Sequence, residues 1–328
     1  MARVAVIERT GGPEVIEWRD VDLPASAPGE VRLRQTVVGV NFIDTYHRSG
    51  VYPIQFPAGL GSESVGVVDA VGEGVTGFEI GDRVGTFGPA RGAYASARNV
   101  PASSLFHLPD DIDDETAAAA MLKGCTVEYL VERIGKVQAG WPVLVHAAAG
   151  GVGLILVQWL KALGATVIGT VGDAAKADLA HAAGADHIVS AHDPDIGGHV
   201  RALTEGEGVP VAFDGVGMAI WEASLKATRR RGLLISYGNA GGPVAGIGLG
   251  ALAAHGSLFV TRPTLFDYYV TPKERAAGIE RLWTMIRSGA VKIRVGQRYR
   301  LEDAARAHAD LEARKTTGSS VLLVDEFG

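Results

Sequence analysis

The stretch His146-Ala147-Ala148-Ala149-Gly150-Gly151-Val152-Gly153 lies between an apolar strand pattern, residues 141–145, and an apolar helical pattern that runs from Leu154 to Gly164. A glycine-rich turn in this setting leaves backbone N–H groups at a helix N-terminus, where they can bind a pyrophosphate. The segment therefore predicts a dinucleotide-binding fold. It departs from the usual G-x-G-x-x-G pattern because Ala148 stands at the first glycine, which is tolerable if its φ stays negative.

The residues after this turn alternate between strand and helix patterns, which predicts a doubly wound parallel sheet. The predicted strands are Val143–His146, Thr166–Val171, His187–Ser190, Val209–Asp214, Leu233–Tyr237 and Ser257–Thr261. Residues up to Leu122 instead show the short strands and turns of a small β-rich domain. Beyond Arg262, two helical patterns (Pro272–Ser288 and Glu302–Ala313) precede a last strand, Ser320–Val324. We expect that strand to rejoin the first domain, which gives the segments 1–122, 123–262 and 263–328.

The composition is that of a cytoplasmic enzyme with enough chain for two domains. The formal net charge of −6 over 328 residues argues against a general nucleic-acid binder or a protein of anionic membrane surfaces. The sequence shows no secretory signal pattern and no apolar run long enough to cross a membrane. The single cysteine, Cys125, excludes an internal disulfide framework and a zinc site built from several thiolates.

Six motifs in fixed order carry a resemblance over essentially the whole length. They are Gly11-Gly12-Pro13-Glu14-Val15, Asn41-Phe42-Ile43-Asp44-Thr45-Tyr46, Gly50-Val51-Tyr52-Pro53, the turns of residues 72–84, the 146–153 turn, and Gly238-Asn239. The chain resembles quinone oxidoreductases of the zeta-crystallin type, within the medium-chain dehydrogenase/reductase superfamily. The resemblance implies an α/β protein with a GroES-like β-rich catalytic domain and a Rossmann-type cofactor domain. It also implies an active cleft between them, a homodimer, and a small quinone or enone as substrate.

The superfamily contains zinc alcohol dehydrogenases and zinc-free reductases, and the sequence bears on which branch this is. Zinc members place cysteine, histidine and cysteine around the metal, where this chain has Asn41, Ser62 and Leu122. None of these three is a useful zinc ligand, so no metal is expected. Without a Lewis acid, alcohol oxidation becomes difficult, whereas a quinone or enone accepts a hydride more easily.

The candidate catalytic residues are the polar groups expected near the acceptor oxygen: Asn41, Asp44, Tyr46, Tyr52 and Arg262. The resemblance places Asn41, Tyr46 and Tyr52 along the cleft, although packing at a domain edge explains each tyrosine equally well. No general acid is identified, and water can supply the proton. The resemblance implies a longer set of cofactor contacts: Asn41, Phe42, Tyr129, Gly150, Gly151, Val152, Gly172, Lys176, Val216, Gly238, Asn239, Pro263 and Leu265.

The choice of cofactor depends on the end of the second strand, where NAD-binding folds carry an acidic residue for the ribose hydroxyls. Val171 stands there, and Lys176 follows at the position where the resembling reductases contact the 2′-phosphate of NADPH. Asp173 is the competing NAD candidate, but its position fits the N-cap of the next helix. Ala191 replaces a family tyrosine near the adenosine phosphate, with His192 or Arg201 as possible substitutes. These observations favour NADPH.

Two functions remain open from the sequence. The first is an NADPH-dependent reductase of quinones, with an enone or alkenal reductase as the alternative within that class. The second is an NADPH-binding protein without turnover, structural like the crystallin relatives or RNA-binding. Asn41, Tyr46 and Tyr52 together with the acidic composition favour the enzyme.

Overall fold

The computed structural model describes residues 1–324, which form two compact units. The first unit contains residues 1–122 and 293–324, and the second contains Lys123–Lys292. None of the helices among residues 1–324 is long and apolar enough to cross a bilayer.

The first part of the chain, as far as the unit boundary, is mainly β-structure. Its elements are β1 (Ala2–Ile7), β2 (Glu17–Val21), β3 (Glu30–Val40), α1 (Phe42–Ser49), β4 (Ala58–Gly59), β5 (Glu63–Val71), β6 (Arg83–Phe87), β7 (Ala97–Pro101), β8 (Leu105–His107) and α2 (Asp114–Glu128). The second unit alternates strands and helices after a π-helix at Tyr129–Gly135. Its elements are β9 (Pro142–Val145), α3 (Gly151–Ala162), β10 (Thr166–Val171), α4 (Ala174–Ala182), β11 (His187–Ser190), α5 (Ile196–Ala202), β12 (Val209–Asp214), α6 (Trp221–Ala227), β13 (Thr228–Ser236), α7 (Gly250–Ala254), β14 (Phe259–Thr261), α8 (Leu265–Tyr268) and α9 (Pro272–Arg287). The chain then adds β15 (Val295–Arg300), α10 (Ala304–Glu312) and β16 (Ser319–Leu323).

The second unit is built on a six-stranded sheet in the order β11-β10-β9-β12-β13-β14. Every neighbouring pair in this sheet is parallel. The order reverses direction between β9 and β12, which is the Rossmann arrangement with its ligand-binding crevice at that switch point. The predicted doubly wound sheet is confirmed, although β13 begins five residues before the predicted Leu233 and includes Arg229, Arg230 and Arg231.

The first unit contains a seven-stranded sheet, β15-β16-β3-β5-β6-β8 with β7 also paired to β3, and a three-stranded sheet, β2-β1-β4. β16 pairs antiparallel with β3, with Ser320 opposite Val40. The last strand therefore rejoins the first unit, as the sequence predicts. The core of the first unit includes Ile7, Val38, Leu60 and Leu322, all of which are fully buried.

The point at which the chain returns to the first unit differs from the prediction. The sequence places it at residue 263, whereas residues 263–292 belong to the second unit. Helix α9 is responsible: Arg281 Nε donates to Glu132 Oε1 at 2.8 Å, and a Cβ on Gly124 would lie 2.4 Å from Leu282 Cδ1. An amphipathic helix can pack on any apolar partner, so its pattern does not name the unit that it joins.

Candidate active site

In the second unit, most of the expected cofactor contacts follow the carboxyl ends of parallel strands. Parallel strands end at one edge of the sheet, so residues that follow them share that edge. Gly150, Gly151 and Val152 follow β9, Gly172 follows β10, Val216 follows β12, Gly238 and Asn239 follow β13, and Pro263 and Leu265 follow β14, after the catalytic candidate Arg262. The fold therefore brings these expected contacts to one edge.

The turn that joins β9 to α3 leaves the N-terminus of the helix open. Gly150 is the N-cap residue, and no side chain caps the helix there. A Cβ on Gly153 would lie 2.2 Å from the carbonyl oxygen of Ala147, so only glycine allows this close packing of turn and helix. The first-turn N–H groups are consequently available to an anion.

The alanine at the first glycine position has a structural explanation. The left-handed residue of the turn is the exposed Ala147, with φ of 53°, so Ala148 does not need a positive φ. The methyl group of Ala148 fits because Gly169 of β10 leaves room for it: a Cβ on Gly169 would lie 2.8 Å from Ala148 Cβ. The departure from the glycine pattern is therefore compensated on the next strand.

The end of β10 supports the interpretation of Asp173 as a helix cap. Its Oδ1 accepts from the backbone N of Lys176 at 2.9 Å, which makes it the N-cap of α4. Lys176 Nζ lies 3.7 Å from Asp173 Oδ2. A Cβ on Gly172 would lie 3.8 Å from His192 Nε2, so His192 is also close to the strand end. Arg201 is different, since its guanidinium donates to carbonyl oxygens that include that of Gly206 at 2.7 Å and that of Lys226 at 2.7 Å.

Asp214, the last residue of β12, organises the two neighbouring loops. Its Oδ1 accepts from the backbone N of Val216 at 2.8 Å and of Gly217 at 2.9 Å. Its own carbonyl oxygen accepts from the backbone N of Tyr237 at 2.8 Å. Burial raises the pKa of the Asp214 carboxyl to about 6, opposed by these N–H groups and by the charge of Arg262.

Arg262 braces the end of β13. Its Nη1 donates to the carbonyl oxygen of Ser236 at 3.0 Å. The Asn239 amide is oriented with its nitrogen donating to the carbonyl oxygen of Gly238. In this orientation its oxygen accepts from Arg262 Nη2 at 3.2 Å. The guanidinium thus stabilises the loop that carries two expected cofactor contacts, and its expected place beside the acceptor oxygen stays a prediction. Tyr129, at the start of the π-helix, is buried and stacks on Tyr268 with ring centroids 4.7 Å apart.

In the first unit, helix α1 gathers the expected substrate-side residues. Asn41 is its N-cap residue and forms a capping box with Asp44. Phe42 and Tyr46 follow within the helix, and the Tyr46 and Tyr52 rings meet edge to face with centroids 5.3 Å apart. Phe42, Tyr46 and Tyr52 therefore form one aromatic cluster, and Asn41 directly precedes it at the start of α1.

Asp44, a catalytic candidate of the sequence analysis, lies below the surface. It has no exposed surface, and its carboxylate accepts from Asn41 N at 2.9 Å, Ser62 Oγ at 2.8 Å and Tyr94 Oη at 3.1 Å. A carboxylate engaged in this way below the surface supports Asn41 and the start of α1. Burial, together with Asp44, raises the pKa of Tyr94 well above its usual value.

A second buried carboxylate, Glu63, connects two of the three residues that the sequence analysis compares with the metal ligands of zinc members, Asn41 and Leu122. Its Oε2 accepts from Asn41 Nδ2 at 2.9 Å, and its Oε1 accepts from Leu122 N at 2.6 Å. Ser62 completes the group through its hydrogen bond to Asp44. Among residues 1–324, no three His, Cys, Asp or Glu side chains are arranged to hold a metal ion.

Comparisons with known proteins agree with this geometry. The family model described as "Alcohol dehydrogenase GroES-like domain" matches residues 27–110, and "Zinc-binding dehydrogenase" matches residues 151–273. A quinone oxidoreductase of Pseudomonas aeruginosa is 48% identical over 98% of this chain and 100% of its own length. The chain belongs to the quinone oxidoreductase family.

Two other similar proteins bear on the fold and on the function. The crystal structure of Escherichia coli quinone oxidoreductase complexed with NADPH has a TM-score of 0.96 and 44% identity, covering 98% of this chain and 100% of that one. A 2-haloacrylate reductase of Burkholderia sp is 42% identical over 98% of this chain and 99% of its own length. The predicted family and the predicted two-part fold are both confirmed.

Sequence reasoning missed two carboxylates that organise the candidate site, Glu63 and Asp214. Ser62-Glu63-Ser64 attracts no attention in the sequence because no histidine stands beside it. Asp214 reads as the end of a strand. Each acid lies at one end of a buried strand, where a carboxylate needs hydrogen-bond partners. That position is the feature by which both could be recognised in the sequence.

Proposed function

We propose that this protein is an NADPH-dependent, zinc-independent reductase of quinones and related electron-poor carbonyl compounds. The observation that carries the proposal is the Asn41–Glu63–Leu122 hydrogen-bond group, in a chain of the quinone oxidoreductase family. An amide, a hydroxyl and an apolar residue stand at the three metal-ligand positions, and this donor set does not suit zinc.

The second unit fits the pyrophosphate and adenosine phosphate of NADPH. The uncapped N-terminus of α3 suits the pyrophosphate, and Gly153 permits the close packing of the turn against this helix. Val171 ends β10 without a carboxylate for the ribose hydroxyls of NADH, while Lys176 and His192 lie near that strand end. We assign Lys176 to the 2′-phosphate, with His192 beside it in place of the tyrosine that family members carry.

The chemistry needs little from the protein beyond orientation and hydrogen bonds. NADPH supplies a hydride, the quinone takes up that hydride and one proton, and the products are hydroquinone and NADP⁺. Asn41, Tyr46 and Tyr52 would contact the nicotinamide half of the cofactor or the acceptor, and water supplies the proton. Asp44 and Arg262 would hold neighbouring groups in place, as their hydrogen bonds indicate.

The test is NADPH oxidation followed at 340 nm with 1,4-benzoquinone, 1,2-naphthoquinone, phenanthrenequinone and a set of enones. Turnover of at least one quinone, unchanged after dialysis against a zinc chelator, is the expected result. Tight binding of NADPH without turnover of any acceptor would contradict the proposal and favour a binding or structural role. Loss of turnover on chelation would contradict zinc independence.

A second candidate function is reduction of an activated carbon–carbon double bond. The 42% identity with a 2-haloacrylate reductase over nearly the full length favours it. A protein that reduces enones or 2-chloroacrylate but no quinone would belong to this alternative. The same NADPH assay distinguishes the two.

We also propose that the protein is a homodimer through the edge strand β14. This strand ends the six-stranded sheet, and its Phe259 and Val260 are 63% and 37% exposed. An apolar edge strand with unpaired backbone groups is prone to association unless a partner covers it, and a second copy can pair with it about a two-fold axis. Sedimentation velocity should find a dimer that Phe259→Glu converts to monomer, while Ile80→Glu, at another exposed apolar residue, should leave the dimer intact.

A cytoplasmic location remains a proposal. Its support is the single cysteine, Cys125, which is buried and forms no disulfide, as is common in proteins of reducing compartments. Fractionation of cells that produce the protein would test it.

A further inference from the structure

Glu63 is a fully buried carboxylate that serves two donors with its two oxygens. One donor is the side-chain amide of Asn41, and the other is the backbone N of Leu122 within α2. Asn41 Nδ2 donates to Glu63 Oε2 at 2.9 Å, so the nitrogen of the Asn41 amide faces the carboxyl group. Glu63 therefore decides which way the amide is turned.

The surrounding chain leaves space for this carboxylate and little room for another arrangement. A Cβ on Gly39 would lie 2.4 Å from Glu63 Oε2 and 2.4 Å from the carbonyl oxygen of Ala118. Asn41 is held from the other side as well, since the capping box ties it to Asp44 and its backbone N donates to Asp44 Oδ2. Glu63 thus holds the side-chain amide of Asn41, while Asp44, from a different element, holds its backbone.

This arrangement leaves one hydrogen of the Asn41 amide for a ligand. Nδ2 carries two hydrogens, and within residues 1–324 only Glu63 accepts from it. A quinone offers only acceptor oxygens, and negative charge develops on them as a hydride arrives. A fixed N–H donor stabilises that charge without having to reorganise.

We propose that Glu63 is a positioning residue of the reductase, which holds Asn41 so that its remaining N–H donates to the acceptor oxygen of the quinone. The inference rests on the proposed function. In this reaction the quinone gains a hydride from NADPH, and the resulting oxyanion accepts the hydrogen bond from Asn41. A proton from water then completes the hydroquinone. A hydrogen bond of this kind suffices for a quinone, which accepts electrons more readily than a simple aldehyde or ketone.

The test is a double-mutant cycle with Glu63→Gln and Asn41→Ser. The glutamine side chain of the first variant can accept from only one of the two donors. The serine of the second retains a good N-cap oxygen for α1 but has no amide N–H. We expect each single variant to lower kcat/KM for 1,4-benzoquinone by at least about tenfold. The double variant should lie within about twofold of Asn41→Ser alone, since Glu63 acts through Asn41.

Two further measurements separate positioning from a merely structural role. The Kd for NADPH, from quenching of protein fluorescence, should change little in Glu63→Gln. Its Tm, lowered because one buried donor loses its acceptor, should stay well above the assay temperature. Glu115→Gln on α2 should behave as wild type. If Glu63→Gln does not fold, Glu63→Asp, with a carboxylate one methylene shorter, takes its place in the cycle.

Three results would overturn the inference. The first is a wild-type kcat/KM in the Glu63 variant. The second is a decrease in kcat/KM on Glu63→Gln that is equally large in the Asn41→Ser background. The third is a decrease in kcat/KM that is explained by the lower Tm alone. In all three cases the wild-type protein still reduces quinones and the proposed function stands. If the wild type reduces no quinone, the proposed function fails and the role of Glu63 fails with it.

Discussion

Asp214 is a single residue whose charge opposes folding while its hydrogen bonds shape the cofactor loops. Its pKa is raised to about 6 by burial, from an ordinary value of 3.8. The folded state therefore holds a proton between about pH 4 and pH 6 that the unfolded state has lost. By linkage, the free energy of unfolding falls as pH rises through this window.

We predict that Asp214→Asn removes this fall of the free energy of unfolding with rising pH. The asparagine Oδ1 can still accept from Val216 N and Gly217 N, but the side chain carries no charge. Relative to wild type, the variant should gain up to about 3 kcal/mol of stability between pH 4 and pH 7. Urea unfolding at a series of pH values measures this difference.

The control variant for this experiment is Asp195→Asn. The Asp195 pKa is lowered, first by its hydrogen bond with Lys226 and then by that with Gly198 N. The stability that Asp195 contributes is present above its unfolded pKa and is lost as pH falls. The variant should therefore be less stable than wild type at neutral pH and approach it in acid. If the stability differences of both variants from wild type changed with pH in the same direction, the interpretation of Asp214 would be contradicted.

Lys176 carries the second prediction at this scale. If its ammonium group contacts the 2′-phosphate, Lys176→Ala should raise the KM for NADPH on the order of 10- to 100-fold, equivalent to about 1.5–3 kcal/mol. NADH lacks that phosphate, so its KM should remain unchanged. Lys273→Ala, an exposed lysine of α9, is the matched control. Equal effects on the two cofactors would remove Lys176 from the phosphate site.

Single residues differ in how far the sequence reveals them. Asp173 could be predicted as an N-cap because its partner, Lys176 N, lies three residues away. Glu63 could not be predicted in the same way, since its partners lie 22 and 59 residues away and only the pairing of strands brings them together. Local hydrogen bonds follow from spacing, and long-range ones do not.

At the scale of elements, the turn before α3 and the strand β10 are fitted to each other. Ala148 occupies space that Gly169 leaves open, because a Cβ on Gly169 would lie 2.8 Å from that of Ala148. A strand interior usually disfavours glycine, so this glycine has a packing role. The pair explains why the turn tolerates alanine at its first glycine position.

This complementarity predicts a rescue. Gly169→Ala should destabilise the protein by about 1–3 kcal/mol and lower NADPH affinity, since the turn has to move. Adding Ala148→Gly should restore most of both, because the second methyl is then absent. Gly248→Ala, where a Cβ meets nothing within 4 Å, is the control. Losses that add in the double variant would show that the two positions do not share this space.

The element boundaries themselves were largely predictable in the second unit. Apolar runs such as those of β10 and β12 are long enough and bounded clearly enough to define strands. The early start of β13 could not be seen, since Arg229, Arg230 and Arg231 are exposed and charged. The attachment of α9 to the second unit depends on contacts with Gly124 and Glu132, which its own pattern does not encode.

At the scale of the molecule, the two units carry different parts of one chemistry. The second provides an open helix N-terminus and a strand end without an acid, which fits NADPH. The first connects Asn41, Ser62 and Leu122 through the buried carboxylates Glu63 and Asp44. The sequence motifs predicted this division and the family, whereas the buried acids that hold Asn41 in place became apparent only in three dimensions.

The most direct test of this account is the ratio of kcat/KM for NADPH to that for NADH, measured with 1,4-benzoquinone as acceptor. We predict turnover with both cofactors and a preference for NADPH of at least about tenfold, the size expected for one charged contact to the 2′-phosphate. A preference for NADH, or no oxidation of either cofactor, would contradict it.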